Sequence, residues 1–245
     1  MSVTEIPSPA YREHAPIAAL RDRLQCAWTY RAPAGEAIST QVIPDGCVDL
    51  IWTADRGFVA GPDRVAATAV LGAGQQLHAV RFAPGAAAAL FGLPLEELVG
   101  QRVPLHDLWG RRADRMAAVL ERAAPDNRLR EMQYWLAGET GWRADAEMAW
   151  VFARADHEST TPRDLAHGLG VSERQLRRRC RHAFGYGPKT LMRILRLQRF
   201  LAGAAERGLL ARALDAGYRD AAHLAHEVRD MAGCTPRELI AARHG

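Results

Sequence analysis

Residues 171–185, VSERQLRRRCRHAFG, carry five arginines, Arg174, Arg177, Arg178, Arg179 and Arg181. A guanidinium is a planar, permanently charged fork that clamps phosphate or pairs in bidentate fashion with guanine O6 and N7. Leu176, Cys180 and Phe184 recur every four positions, so on a helix they form one stripe. Arg174, Arg177, Arg178 and Arg181 then point away from it. From Ser172 to Arg199 nine basic groups stand against the single acid Glu173. A merely solvated helix face mixes both signs at i,i+4 spacing. Charge this one-sided suits a polyanion.

The flanking residues say what positions those arginines. Thr161-Pro162-Arg163-Asp164 supplies an N-cap, a proline at the first helical position and an acid in the first turn. Leu165, Ala166 and Leu169 form an apolar face, and Gly170 ends the helix with left-handed backbone. Ser172-Glu173-Arg174-Gln175 is a capping box that opens the next helix. Two helices, a tight turn and a narrow seam make a helix-turn-helix unit over 161–185, its second helix shaped for the major groove.

The pattern occurs twice. Leu176, Cys180, Gly185 and Pro188 match Leu224, Val228, Gly233 and Pro236 at an offset of 48, and Ala166 and Gly170 match Ala213 and Gly217 at 47. The second unit, 209–233, therefore has one residue inserted in its turn. Another capping box follows it, Thr235-Pro236-Arg237-Glu238. Between the copies, PKTLMRILRLQRFLAG, residues 188–203, reads as one helix within a connector expected over about 188–204, with Leu191, Ile194, Leu195 and Phe200 inward and Arg193, Arg196 and Arg199 outward. Sixteen residues span about 24 Å. The two recognition helices are then expected roughly 34 Å apart, one turn of B-DNA.

Residues 145–243 resemble the DNA-binding domain of the AraC/XylS family of bacterial transcription regulators. The likeness is carried by DLAHGLGVSERQLRRRCRHAFGYGPK, RILRLQRF and ALDAGYRDAAHLAHEVRDMAGCTPREL. Residues 20–110, with IPDGCVDLIW, HAVRFAPGAAAALFG and LHDLWG, resemble an N-terminal domain often joined to that module, which implies no activity by itself. Together these imply a cytoplasmic, nucleoid-associated regulator of double-stranded promoter DNA, with RNA polymerase, a small-molecule effector and a second copy of the chain as further candidate partners. Arg174, Gln175, Arg177 and Arg178 are expected at base edges, and Arg181, Lys189 and Thr190 on phosphates. Asp220, Ala221, His223 and His226 are expected on the second groove face, and Ser172 and Arg219 also among the DNA-binding residues. Ala221, Ala222, Leu224 and His226 depart from the family's usual serine or glutamine, seam phenylalanine and DNA-facing arginine. The first unit is therefore expected to dominate affinity.

The totals fit this division. The chain has 245 residues, 48% apolar and 24% charged, and a net charge of +4. Residues 1–150 hold 15 basic and 18 acidic groups, and residues 151–245 hold 17 and 10. No run approaches the roughly 18 apolar residues of a membrane span, and MSVTEIPSPAYREH does not read as an export signal. Turn chemistry at Pro44-Asp45-Gly46, Arg56-Gly57 and Gly61-Pro62-Asp63 separates strand-like runs. The polar GETGWR segment, 138–143, parts them from the helical remainder. The expected class is α+β: a β-rich, half-barrel-like domain with trailing helices over 1–140, then an all-α domain over 141–245.

Other constellations suggest less. Cys26, Cys47, Cys180 and Cys234 form no CxxC pair, so neither a paired zinc site nor a disulfide is expected. His223 and His226, at i,i+3, lack a third ligand. Gly72-Ala73-Gly74 reads as a hairpin turn. No cofactor and no enzymatic activity is expected. One rival reading tethers an enzyme, or an alkyl- or redox-sensing protein, to DNA through Cys47, but Asp45 and Asp49 would raise that thiol's pKa. Another makes the first domain a mere dimeriser of a constitutive DNA binder. An effector pocket is expected to draw on Trp28, Cys47, Trp52, His78, Arg81 and Phe82.

Overall fold

The computed structural model describes residues 10–203 and 207–244. Its first half is strand-rich. In chain order the strands are β1 (Tyr11–His14), β2 (Leu24–Arg31), β3 (Ile38–Val42), β4 (Asp49–Trp52), β5 (Gly57–Ala60), β6 (Ala67–Leu71), β7 (Gln76–Phe82) and β8 (Arg102–Pro104). Six form one antiparallel sheet in the order β1-β2-β7-β4-β5-β8, while β3 and β6 pair alone as a ribbon. The turn at Gly72-Ala73-Gly74 is therefore a corner between sheets and not the expected hairpin. β7 lies between β2 and β4, so its two edges are already filled.

Strand alternation gives the sheet two unlike faces. Leu50, Trp52, Val59, Val80 and Phe82 pack beneath the helices α1 (Ala87–Phe91), α2 (Leu105–Trp109), α3 (Arg111–Arg122) and α4 (Arg128–Gly138) in a core reaching Trp142. Cys26, Trp28, Ile51, Leu77 and Ala79 face the other way, toward Tyr11, Tyr30, Phe58 and Leu71. This is the expected β-rich domain with appended helices.

The second core begins at Met148 on α5 (Ala146–Ala155) and is all-helical. α6 (Pro162–Gly168) and α7 (Glu173–Phe184) form the first helix pair, and α8 (Pro188–Ala202) the connecting helix. α9 (Leu209–Asp215) and α10 (Ala221–Ala232) form the second pair, followed by α11 (Pro236–His244). The expected end of the connector, residue 204, falls outside the described residues. The extra residue of the second turn is visible, since residues 169–172 join α6 to α7 and residues 216–220 join α9 to α10.

Among the contacts between the two halves are three hydrogen bonds. The main-chain N–H of Ala66, at the foot of the ribbon, donates to Met231 O on α10 at 2.6 Å. Gln198 Nε2 on α8 donates to Pro44 O at 2.6 Å. Arg64 Nη2 donates to Gly185 O at the end of α7 at 3.3 Å. Gly185 sits at φ 82°, and a Cβ there would meet Val99 Cγ2 at 2.6 Å and Pro62 Cγ at 2.7 Å. Both the left-handed turn and the tight seam require glycine.

Candidate nucleic-acid interface

Local hydrogen bonds build the first helix pair as its caps imply. Asp164 N donates to Thr161 Oγ1 at 3.2 Å and Thr161 N donates to Asp164 Oδ2 at 2.9 Å. Gln175 N donates to Ser172 Oγ at 3.3 Å, and Ser172 N returns to Gln175 Oε1 at 2.9 Å. Leu176, Cys180, Ala183 and Phe184 are buried. Burial pushes the Cys180 thiol up to about 12, as expected of a packing residue.

The opposite face is charged. Arg174, Arg177, Arg178 and Lys189 are exposed, and among the described residues none of them makes an ion pair. The other two arginines are engaged. Arg179 pairs with Glu147 and lies 3.7 Å from Asp145, both at the start of α5. Arg181 pairs with Glu96 of the first domain at 2.5 Å. Ser172 and Gln175 serve as caps, Gln175 through its carbonyl oxygen, which leaves its amide NH2 for a ligand. Thr190 is half-buried in the first turn of α8.

The second unit presents a different surface. Asp220 is the N-cap of α10 and accepts from His223 N at 2.7 Å. His223, expected on the groove face, is turned inward: its side chain is 19% exposed, its ring meets Tyr218 edge-on, and Nδ1 accepts from Arg219 N. Position 223 adjoins the seam residue Leu224 and lies one turn from buried Glu227, so the ring falls under α8. Glu227 there binds Arg193 at 2.9 Å and Arg196 at 3.3 Å. Arg219, Ala221 and His226 stay exposed, with His226 75% exposed beside Asp230 at 3.4 Å. Composition does not reveal the Glu227 clamp, because it joins residues 34 and 31 positions apart.

The helix-turn-helix domain family matches residues 165–242, which span both helix pairs and the connector. The chain carries an AraC-type DNA-binding domain. A domain family of unknown function, DUF6597, matches residues 12–104, the strand-rich half of the chain. Two crystal structures of ToxT from Vibrio cholerae show a distant likeness. One shares 8% identity over 97% of this chain and 100% of that one, with a TM-score of 0.45. The other shares 8% over 96% and 100%, with a TM-score of 0.46. No curated protein matches the chain.

A cavity of about 560 Å³ lies between the six-stranded sheet and the β3–β6 ribbon. Trp28 and Arg81 line it, with Tyr11, Ile51, Phe58 and Leu77. Gln198 and Leu201 of α8 close one side, a contribution that nothing in the strand-rich half signals. Trp52 and Phe82 were expected there and instead lie in the helix-side core. His78 and Arg81 are three apart on one strand, so alternation sends them to opposite faces. Burial, and then the nearby Arg128 guanidinium, lower the pKa of His78, while the Pro125 backbone opposes them.

Cys47 is not on the cavity wall. Its thiol lies 3.8 Å from both Gln25 Oε1 and Asp45 O. Although the residue as a whole is half-buried, desolvation of its sulfur is the main reason the thiol pKa stands well above normal. Asp45 and then Asp49 add to this against the pull of Arg81. Among the described residues no cluster of three or more His, Cys, Asp or Glu could hold a metal, and no helix is long and apolar enough to cross a membrane.

Proposed function

We propose that this DNA-binding transcription regulator reads a specific operator mainly through α7, with an effector acting through the cavity of the first domain. The observation that carries the reading is the exposed set Arg174, Arg177 and Arg178 on a capped helix, without acidic partners among the described residues. A free guanidinium on such a helix pairs with guanine edges in the major groove, while Lys189 and Thr190 meet phosphate. The second unit adds backbone contacts through Arg219 and His226. RNA polymerase and a second copy of the chain belong to the same reading as partners at the promoter. The raised Cys47 thiol weighs against the alkyl- or redox-sensing rival.

Genomic footprinting supplies the operator, and fluorescence anisotropy then compares variants on it. Arg178→Ala should weaken operator binding by about 1–3 kcal/mol and relax preference at one base pair. Wild-type affinity and specificity in Arg178→Ala would refute this assignment of α7.

A further inference from the structure

Resting on the reading of the cavity as an effector site, we infer that its ligand is an uncharged, mainly apolar, ring-containing compound. The volume, about 560 Å³, lies within the ordinary range for a small-molecule site, roughly 300–1,000 Å³. Four aromatic side chains, Tyr11, Trp28, Tyr30 and Phe58, face it along with Ile51, Leu71, Leu77 and Leu201. Flat walls of this kind favour planar rings packed offset or edge-on.

The charges on the wall decide the rest. Four lining residues are charged: Asp49, Arg56, Arg81 and Arg102. Arg81, at the buried base, forms a two-bond fork with Asp49 at 3.0 and 2.9 Å and lies 3.3 Å from Asp45. Arg102 forms a fork with Asp63 at 3.1 and 2.6 Å. Arg56 is exposed at the rim, where water screens it. At the base Arg81 thus engages both Asp49 and Asp45, and on the wall Arg102 engages Asp63. A ligand carboxylate entering the base would face Asp49 and Asp45, and an ammonium would face Arg81. Either ion would be desolvated among rings and aliphatic carbons without a counter-charge of its own, which is costly. A hydroxyl, carbonyl or ring nitrogen carries no such burden and can still hydrogen-bond to Thr40, Thr53 or Gln75, which also line the space.

Two matched sets of probes test the class by calorimetry on the full chain: naphthalene-2-methanol, naphthalene-2-carboxylate and naphthalen-2-ylmethylammonium, and then decanol, decanoate and decylammonium. The neutral member should bind best in each set, by about tenfold or more over either ion given the desolvation cost, and the naphthyl alcohol should bind more tightly than decanol. Ala69→Trp, which fills the cavity from the ribbon, should abolish that binding while leaving the melting temperature near wild type. A second filling variant, Ala60→Trp, serves if the first fails to fold. Tighter binding of a carboxylate would assign the ligand to Arg56 at the rim, and tighter binding of an ammonium to cation–π contacts with the rings. Either would overturn the class but keep the effector site. No binding by either neutral probe, or binding untouched by the filling variants, would overturn the cavity as a ligand site and leave the DNA-binding reading standing.

Discussion

At the scale of single residues, chemistry follows from who the neighbours are more than from side-chain type. Five arginines stand on α7, yet Arg179 and Arg181 are held by Glu147 and Glu96, while Arg174, Arg177 and Arg178 have exposed forks. Losing one of the exposed forks should therefore cost more DNA affinity than losing Arg219 at the start of the second unit. Paired Ala variants measured on one operator should show Arg178→Ala weaker than Arg219→Ala, and the reverse order would move the dominant contacts to α10. Cys47 obeys the same rule. Its sulfur is desolvated and faces Asp45 and Asp49, so little thiolate exists near neutral pH. Iodoacetamide at pH 8 should label Cys47 much more slowly than free cysteine, as followed by peptide mass spectrometry. Labelling at the free-thiol rate would revive the alkyl-acceptor reading.

At the scale of elements, the helical repeat was legible because its signals are local: caps, turn glycines and a seam with a period near four. The strand-rich half was legible in class but not in pairing. Nothing local tells that Gly72-Ala73-Gly74 turns between two sheets, or that His78 and Arg81 part ways although both are buried. Long-range clamps were equally hidden, and Glu227 is the clearest case. Its side chain is 8% exposed and joins Arg193, Arg196 and His223. Glu227→Ala should strand two partly exposed guanidiniums under α10 and lower stability by roughly 1–3 kcal/mol, below the full cost of breaking a buried pair. Thermal unfolding measures this, and an unchanged midpoint would show that the clamp is ornamental. The caps carry a pH signature as well. Hydrogen bonds from the Thr161 hydroxyl and backbone hold the Asp164 carboxyl below its ordinary value. Its contribution is therefore complete above the unfolded carboxylate pKa and disappears as pH falls through the lower, folded one. Hydrogen exchange at the start of α6 should quicken over that acid window in the native chain but not in Asp164→Asn, whose side chain does not titrate. Identical profiles would deny Asp164 the role.

At the scale of the whole molecule, the first domain holds both reading units as well as the helix between them. Gly185 and Arg181 at the end of α7 meet Arg64, Val99 and Glu96, while Met231 on α10 meets Ala66 at the foot of the ribbon. The ribbon also walls the cavity, and α8 contributes Gln198 and Leu201 to the same wall. Whatever fills that space therefore presses on elements bonded directly to the DNA-reading half. Arg181 offers the simplest measure of the linkage, since one guanidinium cannot hold Glu96 and a DNA phosphate equally well. Glu96→Gln removes the competing charge while keeping the side chain's shape. Freed of its partner, Arg181 should add one phosphate contact, steepening the slope of log affinity against log salt by about 0.9 and tightening binding at low salt. The gain should fade toward high ionic strength, because it comes from counterion release and not from base contacts. Arg181→Ala made in the Glu96→Gln background should erase it. A salt slope unchanged by Glu96→Gln would mean that Arg181 belongs to the seam between the halves and never reaches the duplex.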